Sequence, residues 1–149
     1  MPKAIWWIRR DLRLNDNPAL KRALWHGAVI PLFILDPQLL EKPAPKRQAF
    51  LMSGLRQLDA DLCSRGSRLI LRRGEPLAEL SRLVSETGAD AVTAVEDYSP
   101  YARERDGRVC SELPLQLFQG LTLHHPQAVL KADGSPYTIF TPFSKAWKA

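Results

Sequence analysis

The segment Ala4–Leu20, with the sequence AIWWIRRDLRLNDNPAL, decides the fold of this chain. It begins with five apolar residues, mostly β-branched or aromatic, which is typical of a strand buried on both faces of a sheet. Four charges then fall within five positions, and Asn17-Pro18 provides a capping side chain and a proline for the first turn of a helix. We therefore predict a strand, a charged crossover and a capped helix, which form the first βα unit of an α/β domain.

Apolar runs and helical periods continue to alternate after this unit. The predicted strands are Ala4–Ile8, Ala28–Leu35, Arg68–Leu71, Ala91–Val95 and Leu115–Phe118. Pro31 is expected to disturb the second strand, because proline lacks a ladder donor. An extended loop is expected over Glu41–Lys46, and the helix that begins at Arg47 carries one leucine stripe. This pattern predicts a doubly wound parallel sheet of strand order 3-2-1-4-5, a Rossmann-like three-layer sandwich with its switch point between strands one and four.

Composition limits the classes of protein to which the chain can belong. Its 149 residues suffice for one domain with a proper core. No apolar run approaches the ~20 residues of a membrane-spanning helix, and Met1–Lys3 leads into a strand instead of a signal peptide. We expect a cytoplasmic monomer without membrane contact, in which Cys63 and Cys110 stay reduced.

Two features carry little functional information. The net charge of +5 permits contact with nucleic acid or another polyanion, but a solvated basic surface is equally compatible with it. His124 and His125 are adjacent, and without a nearby cysteine or carboxylate as a third ligand we favour a loop or surface pair over a metal site.

The glycine-rich phosphate-binding motifs and the GxSxG motif of hydrolases are absent from the sequence.

The charges of the first crossover allow two interpretations, an anion site at the strand ends or an ion-pair lattice. We favour the lattice, because Asp11 in this crossover and Asp106 in the later one are placed to compensate buried guanidinium groups. The predicted members of this structural ion-pair lattice are Arg9, Arg10, Asp11, Arg13, Arg105 and Asp106.

A second group of residues predicts a ligand site at the switch point. Asp97 follows the fourth strand, and Arg47 begins the helix after the second strand. Both side chains can therefore reach the crevice at the switch point. A crevice with this charge pair and with walls from Phe33, Ile34 and Leu35 suits a flat heteroaromatic ligand with polar edges. On spacing alone, an ordinary surface charge pair is the commoner arrangement.

Four ordered segments carry a resemblance to a known family. They are WWIRRDLRLNDNPAL at 6–20, VIPLFILDPQLL at 29–40, EDYSPYARERDG at 96–107 and SPYTIFTPFSKAW at 135–147. Together they resemble the amino-terminal α/β domain of the DNA photolyase and cryptochrome family, and the resemblance covers essentially the whole chain.

The resemblance implies the light-harvesting part of a DNA repair enzyme, a carbon–carbon lyase. Photolyases repair ultraviolet-induced pyrimidine dimers with blue light and a reduced, non-covalent FAD that injects an electron into the dimer. In the family that FAD, a tryptophan electron chain and most of the DNA-binding surface belong to a larger helical domain downstream. Residues 1–130 then correspond to the antenna domain, and residues 131–149 to the start of the interdomain linker.

The same resemblance implies partners and an absence of catalytic residues. The expected partners are the carboxy-terminal helical FAD domain of the same protein and, through it, UV-damaged DNA. We expect no catalytic residue and no metal in this chain, and we expect the chain alone to repair nothing. The residues leave open whether the whole protein repairs or senses light, and which lesion it treats.

The resemblance also favours one antenna chromophore over others. Members that bind 8-hydroxy-5-deazaflavin meet it with an aspartate and an arginine that match Asp97 and Arg47, while Phe33, Ile34 and Leu35 fall on the strand-two contact region. Ala102 stands where folate-binding members carry a glutamate, which argues against methenyltetrahydrofolate. FMN stays open, because Ser99 replaces an acidic residue that is common in the deazaflavin type. Ser144, where a tryptophan is usual, indicates a divergent member.

Two alternatives to a repair enzyme remain. One is a cryptochrome-type photoreceptor domain, and the other is a free-standing nucleotide-binding module without a flavin partner. The aromatic tail, which includes Tyr137, Phe140, Phe143 and Trp147, favours the fragment of a longer protein, because these side chains need further protein to pack against.

Overall fold

Strands and helices alternate along the chain from Lys3 to Phe118, as the apolar periods predict. The computed structural model describes residues 1–41 and 43–149. Its strands are β1 (Lys3–Ile8), β2 (Ala28–Leu35), β3 (Ile70–Arg73), β4 (Ala91–Val95) and β5 (Leu115–Phe118). Its helices are α1 (Pro18–His26), α2 (Pro37–Leu40), α3 (Pro45–Cys63), α4 (Pro76–Thr87), α5 (Pro100–Glu112) and α6 (Phe140–Lys148), with a short 3₁₀ turn at Pro126–Ala128.

The five strands form one parallel sheet in the order β3-β2-β1-β4-β5. This arrangement confirms the predicted doubly wound sheet, with the switch point between β1 and β4. β1 lies at the centre, paired with β2 on one side and β4 on the other. The carboxyl ends of all five strands therefore meet at one edge, where the crossovers after β1, β2 and β4 come together.

The apolar segment of β1 is buried on both faces, which is the reason for its continuous hydrophobicity. Trp6 packs with leucines of α3 and with Ala19 and Ala23 of α1. On the opposite face, Trp7 packs with α4 and α5 residues such as Leu80 and Val109. Burial of each large apolar side chain contributes roughly 1.5–3 kcal/mol to folding, so these two layers fix the helices over the sheet.

Proline marks the first residue of each of the helices α1 to α5. Its fixed φ suits the first helical turn, where an N–H has no intrahelical partner. Side-chain caps reinforce several of these starts: the Asn17 Oδ1 accepts from the Leu20 N–H at 3.0 Å, and the Ser99 hydroxyl accepts from the Ala102 N–H at 3.3 Å. These local signals account for the start of α1 at the predicted Pro18.

The third strand was predicted two residues too early. It spans Ile70–Arg73 instead of Arg68–Leu71, because the Leu69 N–H donates to the Asp59 carboxylate at 2.7 Å and keeps the chain before Ile70 out of the ladder. Pro31 does not disturb β2, whose register with β1 is continuous. β3 pairs with β2 only from Leu32 onward, so proline lies where β2 has one neighbour.

The predicted loop after β2 was partly wrong. Asp36 caps the short helix α2, and α3 begins at Pro45, two residues before the predicted start at Arg47. Lys42, within the predicted loop, lies outside the described residues. The tail also contains a helix, α6, in a segment for which the sequence predicts aromatic residues and no helix. No helix in the described part of the chain is long and apolar enough to cross a membrane.

Candidate functional site

A buried group of charged side chains lies where β1 ends. The Arg9 Nη1 lies 2.6 Å from the Asp106 carboxylate, and the Arg105 Nη2 lies 2.9 Å from the same group. Both guanidinium groups stack on the Trp7 ring, with their central carbons 4.8 and 4.9 Å from its centroid. Arg9 also donates to the Val95 carbonyl at the end of β4. This group therefore joins β1, β4 and α5 and forms the floor of the switch point.

Asp11 and Arg13 form no ion pair within the described residues, although the Asp11 charge opposes the lowering of the Arg9 pKa and so compensates this guanidinium as the sequence predicts. The Asp11 carboxylate turns back onto its own chain, where it accepts from the Arg9 N–H at 3.2 Å and from the Asn17 Nδ2 at 2.8 Å. Arg13 donates to the Asp16 and Gly120 carbonyls, at 3.1 and 2.8 Å. These two side chains thus shape the crossover through local hydrogen bonds instead of ion pairs.

Asp97 lies in the crossover after β4, as the sequence predicts. Its Oδ1 accepts from the Ser99 N–H at 3.1 Å and lies 3.4 Å from the Arg10 Nη1. The Asp97 side chain is 13% exposed and that of Arg10 is 67% exposed, so this ion pair is open to solvent on the arginine side. Asp97 is held in one orientation by the loop that carries it.

The three predicted wall residues of β2 have different environments. Phe33 packs in the core layer under α3, while Ile34 packs in the opposite layer. Leu35 alone of the three lines an open depression of about 330 Å³. The other lining residues of this depression, which we call the β2–β3 depression, are Leu40, Gln48, Leu51, Met52 and Arg73. The alternation of side chains along a strand is the reason that consecutive residues cannot line one face.

Arg47 is exposed on the first turn of α3, next to Gln48 in the β2–β3 depression. It forms no ion pair with Asp97 within the described residues, so the structure does not join the two charges that the sequence placed at one mouth. A larger open depression, about 970 Å³ in volume, lies elsewhere, between the start of α1 and the segment after β5. Its lining is divided between polar groups and leucines, and neither Arg47 nor Asp97 belongs to it.

Asp36 and Tyr101 form a contact that the sequence did not predict. Asp36 directly follows β2, Tyr101 is the second residue of α5, and the Tyr101 hydroxyl donates to the Asp36 Oδ2. Burial, reinforced by the Asp36 carboxylate, raises the pKa of Tyr101 to about 12. The contact links the Asp97 crossover to the β2–β3 depression. Its only signals in the sequence are the position of Asp36 directly after β2 and that of Tyr101 in the first turn of α5.

His125 connects the segment after β5 to the β4 crossover. Its Nε2 lies 3.4 Å from the Glu96 Oε2, and its ring meets that of Tyr98 edge-on, with centroids 5.1 Å apart. Neighbouring His124 instead contacts Trp147 of α6. Among the residues that the structure describes, no group of three histidine, cysteine or carboxylate side chains could hold a metal ion. The two histidines join the segment after β5 to the β4 crossover, through His125, and to α6, through His124.

Comparison with known families decides the identity of this arrangement. A family model described as DNA photolyase matches residues 4–149. The chain belongs to the DNA photolyase family. A deoxyribodipyrimidine photo-lyase from Synechococcus is 40% identical to this photolyase-family chain over 97% of the chain, and cryptochrome-1 from Arabidopsis thaliana is 36% identical over 94%. The chain spans 32% and 22% of the length of these two relatives.

Solved photolyase structures show the same fold. A bacterial class III photolyase from Agrobacterium tumefaciens superimposes with a TM-score of 0.88 at 34% identity, over 99% of this chain and 32% of that one. An archaeal photolyase from Sulfolobus tokodaii, described with two FAD molecules and a novel light-harvesting cofactor, superimposes with a TM-score of 0.77 at 31% identity, over 99% and 35%. The photolyase-family chain therefore corresponds in size to about a third of these proteins.

Proposed function

We propose that this chain is the amino-terminal antenna domain of a deoxyribodipyrimidine photolyase. In this proposal the domain binds a light-absorbing chromophore that passes excitation energy to FAD in a helical domain of the same protein. Residues 1–130 form the antenna domain, and 131–149 begin the linker to that helical domain. Membership of the family and a match to only a third of each photolyase support this division.

The β2–β3 depression is the observation that carries the chromophore proposal. It lies at the carboxyl ends of two neighbouring strands, on the edge of the sheet where ligands of doubly wound sheets bind, although the switch point itself lies between β1 and β4. Its volume of about 330 Å³ is at the lower end of the range for small-molecule sites, ~300–1,000 Å³. Leu35, Leu51 and Met52 offer apolar surface, and Gln48 and Arg73 offer polar groups. This donor set fits one flat ring system that keeps an edge in solvent.

Basic and amide side chains at the rim favour a chromophore with an acidic or carbonyl edge. Arg47 is exposed one residue before Gln48, so its guanidinium is free to turn toward a ligand at that rim. Asp97, which pairs with Arg10 in the crossover after β4, would be a second contact for a longer ligand. We favour 8-hydroxy-5-deazaflavin over FMN and methenyltetrahydrofolate, because its hydroxyl and carbonyl edges match arginine and carboxylate partners.

Binding of free chromophores to the purified chain tests this proposal. The chain is titrated separately into 8-hydroxy-5-deazaflavin, FMN and methenyltetrahydrofolate, and the fluorescence anisotropy of each chromophore is followed. Saturable binding, tightest for the deazaflavin, is expected. Binding of none of the three would refute the antenna role, whereas tighter binding of FMN would change only the chromophore.

Repair belongs, in this proposal, to the whole protein. FAD would lie in the helical domain and supply the electron for dimer reversal, and this chain would contribute no catalytic residue. We expect no light-dependent reversal of pyrimidine dimers by the 149-residue chain with reduced FAD. Reversal by this chain alone would refute the division of labour.

A cryptochrome-type photoreceptor domain is the second candidate, favoured by the 36% identity to a plant cryptochrome. Light-dependent repair of dimer-containing DNA by the complete protein distinguishes the two. Repair is expected for the photolyase, and its absence from a protein that carries bound FAD would support the photoreceptor.

A further inference from the structure

The Asp36 carboxylate makes two different contacts at the end of β2. Its Oδ1 accepts from the Gln38 N–H at 3.0 Å and so caps helix α2, while its Oδ2 accepts from the Tyr101 hydroxyl. Asp36 is only 6% exposed. A buried carboxylate is stable only with hydrogen-bond donors on its oxygens. The two contacts therefore provide one donor for each oxygen of this buried carboxylate.

The Tyr101 ring packs against Arg105, which belongs to the buried charged group at the switch point. The Arg105 guanidinium carbon lies 5.6 Å from the Tyr101 ring centroid, and Arg105 is itself paired with Asp106. A tyrosine hydroxyl is protonated over the neutral range even at its ordinary pKa of ~10, and burial raises the pKa of Tyr101 further, to about 12, so this hydroxyl remains a donor to Asp36. α5 thus presents a fixed donor to Asp36 across the end of β1.

Helix α2 depends on these contacts because it has only four residues. A helix of this length is not stable on its own. Its last two residues are tied to Asp36, whose carbonyl accepts from the Leu39 and Leu40 N–H groups at 3.1 and 3.2 Å. Leu40 lines the β2–β3 depression, so the position of α2 sets the shape of that rim.

We infer that the Asp36–Tyr101 hydrogen bond is a latch that holds α2, and with it Leu40, at the rim of the β2–β3 depression and slows release of the ligand. This inference rests on the proposed antenna function for its ligand. Asp36 and Tyr101 are positioning residues, because they act through α2 and Leu40. The latch spans the switch point, joining the end of β2 to the helix that follows β4.

The substitution Tyr101→Phe removes the hydroxyl and keeps the aromatic ring that packs against Arg105. Tyr137→Phe, in the tail and away from the depression, is the matched control. We expect Tyr101→Phe to raise the dissociation rate of 8-hydroxy-5-deazaflavin by about tenfold, slightly less than the factor for one full hydrogen bond to a charged group, because the bond acts on the ligand through α2. We also expect hydrogen exchange at the Gln38, Leu39 and Leu40 amides to accelerate in the chain without chromophore, while β2 amides stay protected.

The two readouts separate the latch from the antenna proposal. Unchanged exchange of the α2 amides in Tyr101→Phe would overturn the latch, whether or not a chromophore binds. Faster exchange of the α2 amides with an unchanged dissociation rate of the chromophore would show that the latch does not slow ligand release. Failure of the unsubstituted chain to bind any chromophore would refute the proposed function, and the effect on ligand release with it. An equal effect of Tyr137→Phe would show that loss of any tyrosine hydroxyl suffices and would also overturn the latch.

Discussion

Arg9 and Asp106 lie 97 residues apart in the chain and form a buried ion pair, in which the Arg9 Nη1 is 2.6 Å from both carboxylate oxygens. Burial lowers the pKa of the Arg9 guanidinium, and Asp106 opposes that shift. Arg105 donates its Nε to the same carboxylate at 3.0 Å. The Asp106 carboxylate therefore pairs with two buried cations stacked on Trp7, at the place where the two halves of the sheet meet.

Removal of the Asp106 charge is expected to destabilise the domain strongly. In Asp106→Asn, two buried guanidinium groups lose the carboxylate that pairs with both of them, and breaking such a pair costs about 3–5 kcal/mol. Urea unfolding should show a lower midpoint with an unchanged slope. The control Glu104→Gln, exposed on the same helix, should change the free energy of unfolding by less than ~0.5 kcal/mol. A loss no larger than that of the control would contradict the assigned role of Asp106.

The Tyr101 hydroxyl should ionise late in an alkaline titration. Its pKa is raised to about 12 by burial and by Asp36, from ~10 in an unfolded chain. The stability contributed by neutral Tyr101 is thus complete below pH ~10 and is lost as the pH rises through about 12. Tyrosinate absorbance should contain a component near pH 12 that Tyr101→Phe removes and Tyr137→Phe retains. If the component lost in Tyr101→Phe has its midpoint near pH 10, the assignment is wrong.

Arg47→Ala should weaken binding of 8-hydroxy-5-deazaflavin by about five- to tenfold, which corresponds to ~1–1.4 kcal/mol for one exposed charged contact. The physical reason is loss of the guanidinium next to Gln48 at the rim. Anisotropy titration measures the effect. Arg56→Ala, an exposed arginine on the same helix, is the control and should bind as the unsubstituted chain does. Equal affinity of both variants would exclude Arg47 from the site.

Helix α6 should be the least protected helix of comparable length. It has no buried residue and no side-chain N-cap, whereas α4 buries residues such as Leu80 and Leu83. Because local stability follows buried contacts, amides of α6 should exchange at least about 100-fold faster than those of α4. Hydrogen exchange with mass spectrometry measures the difference. Comparable protection would mean that Phe143 and Trp147 stabilise α6 more than their exposure indicates.

Local signals in the sequence were sufficient for most of the fold. Proline and capping residues start the helices, and the apolar run of β1 follows from burial on both faces. The third strand was misplaced because half of it is charged: Arg72 satisfies its guanidinium with Glu79 and Glu86 of α4. A search for apolar runs does not detect a strand residue such as Arg72, because its side chain is stabilised by ion pairs.

The candidate site was predictable only in part. The sequence placed Asp97 and Arg47 at strand and helix ends but could not show that they remain apart, or that Phe33 and Ile34 face opposite layers. Asp36 and Tyr101 are 65 residues apart, and neither carries a motif.

The sequence by itself determined the strands, their order and the position of the switch point, because apolar period, proline and capping act over a few residues. Only the tertiary structure decided which charges pair and which residues line the β2–β3 depression. Those outcomes depend on the packing of α3 and α5 over different halves of the sheet, and contacts made across that distance leave no local pattern in the chain.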